Sequence, residues 1–195
     1  LSSAASDVYK RQWKYMVKVR NIVSIFSLLF TLNSFAESSI QVDISEQRLY
    51  LLKFNKVLAS YPISSSSFGE GQKENSYKTP LGKHIIKEMI GSSATKDTIF
   101  ISRINTKRAA NLIKEPIDTD NDYVTSRIMW LQGEDEGFNK GGSVDSYQRY
   151  IYIHGTQEEG LIGTKASHGC IRMFNNDVID LYEKVDIGTK VLIKT

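Results

Sequence analysis

Cysteine is almost absent from this sequence, and its scarcity limits what the chain can be. Among 195 residues there is a single cysteine, Cys170, so no disulfide can form within the chain. The paired cysteine and histidine spacing of structural zinc sites is missing too. A lone cysteine is either a buried, unreactive apolar residue or a thiol retained for its reactivity, and taken alone the first interpretation is favoured.

Long apolar runs are missing as well. No run reaches the roughly 18 residues that a membrane-spanning helix needs, so no transmembrane anchor is expected in the mature chain. The run 22–32 follows basic residues and precedes the small residues Ser34 and Ala36. These are the three parts of a secretory signal, so residues 16–36 are predicted to be a signal peptide cleaved after Ala36. A buried helix is the alternative interpretation.

Residues 1–15 precede Met16, the natural start, and carry no targeting pattern. Their segment 6–12 resembles translated read-through of a sequencing adapter, so residues 1–15 are interpreted as non-biological. Residues 37–195 are then expected to fold as one domain in the periplasm or cell envelope, because the chain is too short for two domains of typical size.

Basic and acidic residues are nearly balanced once residues 1–36 are set aside. The chain has 25 basic and 22 acidic residues, and the first 36 residues hold 5 and 1 of them, which leaves 25 − 5 = 20 and 22 − 1 = 21. A nucleic-acid partner would require a concentrated basic face, and the mature part has no such cluster. Nucleic acid is therefore not an expected partner.

Hydrophobic periodicity predicts a mainly β domain with one or two short helices. Period-two alternation is typical of strands, and apolar residues three and four apart are typical of a helix. No internal repeat or second module is visible. Strands are predicted as a meander over 39–63 and over 84–90, 123–131, 149–154 and 188–194. Loops are predicted over 64–78 and 133–145, and helices over 105–114, capped by Asn105, and 176–185, capped by Asn175 or Asn176.

The neighbours of Cys170 favour the reactive interpretation. The segment Ser-His-Gly-Cys-Ile-Arg, residues 167–172, places a glycine directly before the cysteine and His168 two positions before it. The glycine lets the backbone turn, and a nearby imidazolium would lower the pKa of the thiol. Such a turn also directs backbone N–H groups toward a developing oxyanion, as acyl transfer requires.

A second histidine ends a predicted strand. In residues 149–154, alternation places Ile151 and Ile153 on the core face and Tyr150, Tyr152 and His154 on the opposite face. The loop after this strand can bring Cys170 back to His154, which would then act as a base. The alternative is that His154 only hydrogen-bonds a neighbouring strand.

These residues resemble the L,D-transpeptidase family. His154-Gly155 is followed, 16 positions from base to nucleophile, by Ser-His-Gly-Cys ending at Cys170, and the resemblance extends to residues 78–82 and 188–193. It implies an L,D-transpeptidase-type β-sandwich or barrel over residues 37–195. It also implies action on peptidoglycan stem peptides without a metal or cofactor, with carbapenems as possible inhibitors.

The resemblance also implies roles for site residues. Cys170 would attack the carbonyl of the third stem residue and expel terminal D-alanine. A second stem's amine would resolve the thioester to form a 3-3 crosslink, or another amine acceptor would be attached. His154 would be the base, oriented by the Gly155 carbonyl. The N–H groups of His168, Gly169 and Cys170 would bind the oxyanion. Substrate binding is assigned to Ser167, Tyr152 and Arg172. Arg172 would hold a substrate carboxylate through its planar fork, with a structural ion pair as the alternative.

Three other interpretations stay open. Water could resolve the same thioester, which would make the protein an L,D-carboxypeptidase or hydrolase of the wall. A catalytically dead wall-binding protein would need no reactive thiol. A zinc site would draw on His84, His154, His168 and Cys170, but two of these are only two positions apart, and His84 reads more simply as a solvated position on a strand.

Overall fold

The structure, a computed structural model, describes residues 38–195. The predicted read-through segment 1–15 and the predicted signal peptide 16–36 lie outside the described residues. One α-helix, α1 (Asn175–Tyr182), and two short 3-10 helices (Gly142–Val144 and Glu159–Leu161) occur in the described range. Its ten strands are β1 (Ser39–Asp43), β2 (Arg48–Lys53), β3 (Lys56–Ser64), β4 (Gly82–Ile90), β5 (Thr98–Ile101), β6 (Ile104–Ala109), β7 (Val124–Gly133), β8 (Tyr152–Thr156), β9 (Ile171–Met173) and β10 (Lys190–Lys194).

Eight of these strands close into a ring. Their order is β4-β10-β1-β2-β3-β9-β8-β7, and β7 pairs back onto β4, so the sheet has no free edge along this path. The pairs β1–β10 and β8–β9 are parallel, and the other pairs of the ring are antiparallel. Hairpin β5–β6 extends the sheet from β7 outside the ring. The expected mainly β, barrel-like fold is confirmed.

The interior of the ring is apolar because alternate residues of its strands point inward. Ile153 of β8 and Ile171 of β9 are cross-strand partners and are fully buried in the same cluster. Helix α1 adds Val178 and Leu181 to that cluster. The predicted alternation is therefore confirmed for β8: Ile153 faces the core, so Tyr152 and His154 lie on the other face of the sheet.

The structure corrects two predicted strand and helix assignments. Residues 104–109 form β6 instead of a helix, since a turn at Ser102 and Arg103, both with positive φ, folds them back onto β5. Strand β8 begins at Tyr152, after a turn in which Tyr150 has φ of 58°.

In residues 38–195 no helix is long and apolar enough to span a membrane.

Helix α1 also begins differently from the prediction. Neither asparagine acts as its N-cap, because Phe174 occupies that position and forms no side-chain cap. The Asn175 side chain instead forms buried hydrogen bonds with Thr125 and Thr156.

Candidate active site

Cys170 immediately precedes β9 and lies level with the first residue of β8. The parallel register pairs Ile153 with Ile171, so Cys170 faces Tyr152 across the two strands. The backbone N–H of Tyr152 donates to Cys170 Sγ at 3.3 Å, and the thiol donates to the carbonyl oxygen of Tyr150, also at 3.3 Å. The sulfur is thus held from both sides by the backbone that leads into β8.

His154 lies on the same face of the sheet as Cys170. Residues two apart on a strand share a face, as do cross-strand partners, so Tyr152, His154 and Cys170 all project to one side. The imidazole is 2% exposed, and its Nδ1 lies 2.7 Å from the carbonyl oxygen of Gly155. Because a carbonyl can only accept, Nδ1 carries the proton and Nε2 presents a lone pair. This is the tautomer that a base for Cys170 needs.

Gly155 is required by close packing at this point. A Cβ atom there would lie 2.6 Å from Oδ1 of Asn175 and 2.9 Å from the carbonyl oxygen of Thr125. Asn175 is fully buried; its Oδ1 accepts from the hydroxyls of Thr125 and Ser126, and its Nδ2 donates to the carbonyl of Thr156 and to Glu159. The start of helix α1 thereby fixes the strand that carries His154.

The turn before Cys170 is closed by Ser167. Its hydroxyl donates to the Cys170 carbonyl at 2.6 Å and accepts from the Gly169 N–H at 3.3 Å. Gly169 has φ of 121°, a conformation that side chains other than glycine's rarely adopt. Among residues 38–195, the N–H groups of His168 and Cys170 donate to no loop carbonyl or side chain, so two of the three predicted oxyanion donors remain unused.

The predicted lowering of the thiol pKa does not occur in this structure. Burial raises the pKa of Cys170 to about 12, and nearby Asp122 raises it further, while the N–H of Tyr152 and the charges of Arg172 and Arg149 oppose this. Burial also lowers the pKa of His154 to about 4, against the opposite effects of Asp122 and the Gly155 carbonyl. Although Cys170 keeps some solvent exposure as a residue, its sulfur is desolvated by protein. At neutral pH both partners are uncharged.

Arg172 is the least exposed basic residue near the site. Its side chain is 1% exposed, with Nη1 2.9 Å from a Glu158 carboxylate oxygen and Nη2 2.6 Å from an Asp122 carboxylate oxygen. Asp122 also lies 3.1 Å from Nδ1 of His168, which turns outward. Burial raises the pKa of Asp122, but Arg172, His154 and His168 outweigh it, so the net pKa is lowered. This arrangement favours the ion-pair interpretation of Arg172.

Comparison with known proteins identifies the family. A model of the L,D-transpeptidase catalytic domain (YkuD) matches residues 37–193. The chain belongs to this family. The putative L,D-transpeptidase YqjB of Bacillus subtilis is 49% identical over 45 residues, which are 23% of this chain and 26% of that protein. The putative L,D-transpeptidase YkuD of the same organism is 43% identical over 60 residues, 28% of this chain and 37% of that protein.

Solved structures of low identity share the fold. Bd1075 of Bdellovibrio bacteriovorus matches with a TM-score of 0.52 and 17% identity, over 84% of this chain and 49% of that one. An L,D-transpeptidase from Mycobacterium smegmatis matches with a TM-score of 0.50 and 17% identity, over 82% of this chain and 59% of that one. The matches thus span less than two thirds of these relatives' lengths.

In this L,D-transpeptidase domain, the residues after β8 hold the segment that carries Asp122. Fully buried Glu158 accepts from the N–H and hydroxyl of Thr119, at 2.8 and 2.5 Å, while its other oxygen pairs with Arg172. The Gln157 side chain accepts from the Tyr123 N–H at 2.9 Å. Sequence reasoning missed Asp122 and Glu158; the only available signal was the pair of acidic residues that follows His-Gly-Thr-Gln.

An aromatic wall lines the other side of Cys170. Tyr152, only 7% exposed, meets Trp130 edge to face at 5.5 Å, and Tyr147 stacks on the other part of the indole at 4.1 Å. Tyr150 is half-exposed and lies 5.5 Å from Trp130. Cys170 packs against this cluster. Tyr152 therefore contributes a wall beside Cys170 and a backbone donor to its sulfur.

His84 is buried, which corrects its interpretation as a solvated position. Its Nδ1 lies 3.0 Å from the Gly82 carbonyl oxygen and its Nε2 3.0 Å from the Ser146 hydroxyl. His168 pairs with Asp122, and Nδ1 of His154 binds a carbonyl. Within residues 38–195 no cluster of three metal-ligating side chains occurs, so the geometry does not assemble the zinc set considered above.

Proposed function

We propose that this domain catalyses acyl transfer on peptidoglycan stem peptides, with Cys170 as nucleophile and His154 as base. The observation that carries the proposal is that the thiol and the imidazole project from one face of the β8–β9 pair. Nδ1 of His154 binds the Gly155 carbonyl, and within residues 38–195 its Nε2 forms no hydrogen bond and can take a proton. A nucleophile, an oriented base and unused backbone donors are the parts that acyl transfer requires.

The proposed reaction has two half-reactions. Cys170 Sγ bonds to the carbonyl carbon of the third stem residue while its proton passes to His154 Nε2. The carbon–nitrogen bond then breaks, and His154 returns that proton to the leaving amine of terminal D-alanine. An amine of a second stem attacks the thioester, loses a proton to His154, and the sulfur leaves and recovers it. The product is a 3-3 crosslink.

The proton transfer is coupled to attack and does not precede it. Burial raises the pKa of Cys170 to about 12 and lowers that of His154 to about 4, which disfavours a resting thiolate and imidazolium pair. Negative charge appears on the substrate oxygen as the proton leaves the sulfur, and the N–H groups of His168 and Cys170 are the proposed donors to it. Gly169 donates instead within the turn.

The proposed place of action is the periplasm or cell envelope, where stem peptides occur. The support for this is the predicted signal peptide at residues 16–36.

Mass spectrometry of the purified protein with a tetrapeptide stem tests the proposal. We expect a thioester adduct on Cys170, no adduct in Cys170→Ala, and acylation slowed about 10²- to 10⁴-fold in His154→Ala, because that variant lacks a general base. A carbapenem is the second reagent and is expected to acylate the same sulfur. An adduct at any other residue contradicts the assignment.

Product analysis separates the acceptors. Adding a second stem with a free amine should give a crosslinked dimer. Release of a tripeptide alone, at an unchanged rate when the second stem is added, identifies a carboxypeptidase or hydrolase instead.

A further inference from the structure

Arg103 lies at the tip of the β5–β6 hairpin and reaches across to the aromatic wall. Its guanidinium carbon is 4.8 Å from the Trp130 ring centroid and 5.0 Å from that of Tyr150. Its Nη1 donates to the Tyr152 hydroxyl at 3.2 Å. Positive φ at both Ser102 and Arg103 turns the hairpin so that this side chain faces the site. The aromatic contacts fix the position of the cation.

The remaining donors of Arg103 have no protein partner in the described part of the chain. The guanidinium forms no ion pair and a single hydrogen bond there, although it has five N–H groups. Aromatic faces hold a cation without consuming its in-plane donors. An arginine held in this way presents a planar fork that matches a carboxylate.

The other cations around Cys170 are already used. Arg172 is buried between two carboxylates. Arg149 donates to the carbonyls of Gly71, Gln72 and Lys78. Lys165 pairs with Glu70 at 2.6 Å. Arg103 is therefore the cation of this group that can accept a new anionic partner.

Arg103 is separated from the sulfur by one tyrosine. The phenol end of Tyr152 binds Arg103, and the backbone N–H of Tyr152 binds Cys170 Sγ. A tyrosine is about as long as two extended residues, each spanning ~3.5 Å. A carboxylate one residue beyond an attacked carbonyl is thus within reach of the guanidinium.

We infer that Arg103 binds the terminal carboxylate of the acyl-donor peptide and so makes the domain select peptides with a free C-terminus. This inference rests on the proposed function and replaces Arg172 with Arg103 as the carboxylate-binding residue. Tyr152 positions Arg103 in this arrangement, and the β5–β6 hairpin is the element that delivers it to the site.

Paired peptides test the inference. One tetrapeptide stem ends in a carboxylate and its twin in a carboxamide, and the rate of Cys170 acylation is measured for each. Arg103→Gln should lower kcat/KM for the peptide with the C-terminal carboxylate about 10- to 100-fold. For the peptide with the carboxamide, kcat/KM should change less than about threefold, because only the carboxylate peptide loses a hydrogen bond to a charged group. Arg103→Lys should recover part of the loss because it keeps the charge without the fork.

The matched control is Arg108→Gln, on an exposed arginine of the same hairpin, which should change neither rate. An equal loss with both peptides in Arg103→Gln would show that Arg103 only supports the aromatic wall, and no loss with either would show that it has no role; both outcomes overturn the inference.

A second measurement does not depend on the peptidoglycan reaction. Cys170 is alkylated in parallel with iodoacetate, which is anionic, and iodoacetamide, which is neutral. The iodoacetate rate divided by the iodoacetamide rate should fall about fivefold in Arg103→Gln and stay constant in Arg108→Gln. If the parent protein is acylated by neither peptide, the proposed function fails. The ratio of alkylation rates still shows in that case whether Arg103 attracts a carboxylate to the sulfur. An unchanged ratio contradicts the inference.

Discussion

At Cys170, two effects on the thiol act in opposite directions. The Tyr152 N–H and the charges of Arg172 and Arg149 favour the thiolate, but burial disfavours it more strongly, so the pKa rises to about 12. His154 does not counter this, because its own burial keeps the imidazole neutral. The resting site therefore holds a neutral thiol, and such a thiol resists oxidation because oxidation follows thiolate character.

The pH dependence of alkylation tests this resting state. With iodoacetamide, the rate at Cys170 of the folded protein should rise about tenfold per pH unit from neutral to about pH 10 without a plateau, because only the thiolate reacts. The same cysteine in urea-unfolded protein is the control and should level off above its ordinary pKa of about 8.5. A folded-state rate that is already constant at neutral pH would show a preformed thiolate.

At the scale of elements, one asparagine joins helix α1 to the strand that bears His154. Asn175 uses its carbonyl oxygen for two hydroxyls, from Thr125 and Ser126, and its amide for Thr156 and Glu159. Because the donors and acceptors match one by one, the amide has only one orientation that satisfies all four contacts. The position of Gly155 depends on this network through its close approach to Asn175.

Asn175→Asp should therefore destabilise the fold. The change replaces the NH₂ group by an oxygen that faces the carbonyl of Thr156 and the Glu159 carboxylate, so we expect the free energy of unfolding to fall by about 3 kcal/mol. Urea unfolding measures this free energy. Asn176→Asp, at the exposed next position, is the matched control and should stay within about 0.5 kcal/mol of the parent. Equal stability of both variants would contradict the role of this network.

These contacts show where sequence reasoning succeeded and where it could not. The alternation around Ile153 and the motif ending at Cys170 are local patterns, and they predicted the face of β8 and the turn before Cys170. A helix cap at Asn175 or Asn176 is predicted because local preference favours asparagine there, yet tertiary partners far along the chain decide the role of Asn175. Asp122 and Arg103 reach the site through long-range pairing, which leaves no periodic signal in the sequence.

For the whole molecule, closure of the ring depends on β4, which pairs with β10 on one side and β7 on the other. His84 sits at this junction, opposite Val191 and Gly133. It is fully buried and neutral: burial lowers its pKa to about 4, although the Gly82 carbonyl and nearby Asp135 act in the opposite direction. The unfolded chain, in contrast, protonates this histidine near its ordinary pKa of about 6.5.

The protein should therefore lose stability in mild acid. Between pH 6.5 and about 4 the unfolded state binds more protons at His84 than the folded state, so stability falls as the pH drops, by about 2 kcal/mol from this residue between pH 7 and 5. Urea unfolding at both pH values should show a smaller pH-dependent loss in His84→Gln, which keeps hydrogen-bonding capacity but cannot be protonated. His154 contributes a similar loss in both proteins, because its folded pKa is also lowered to about 4. An identical loss of stability in parent and variant would contradict this. It would show that His84 is not protonated on unfolding between pH 7 and 5, and that the pairing of β4 with its neighbours does not depend on the charge of His84.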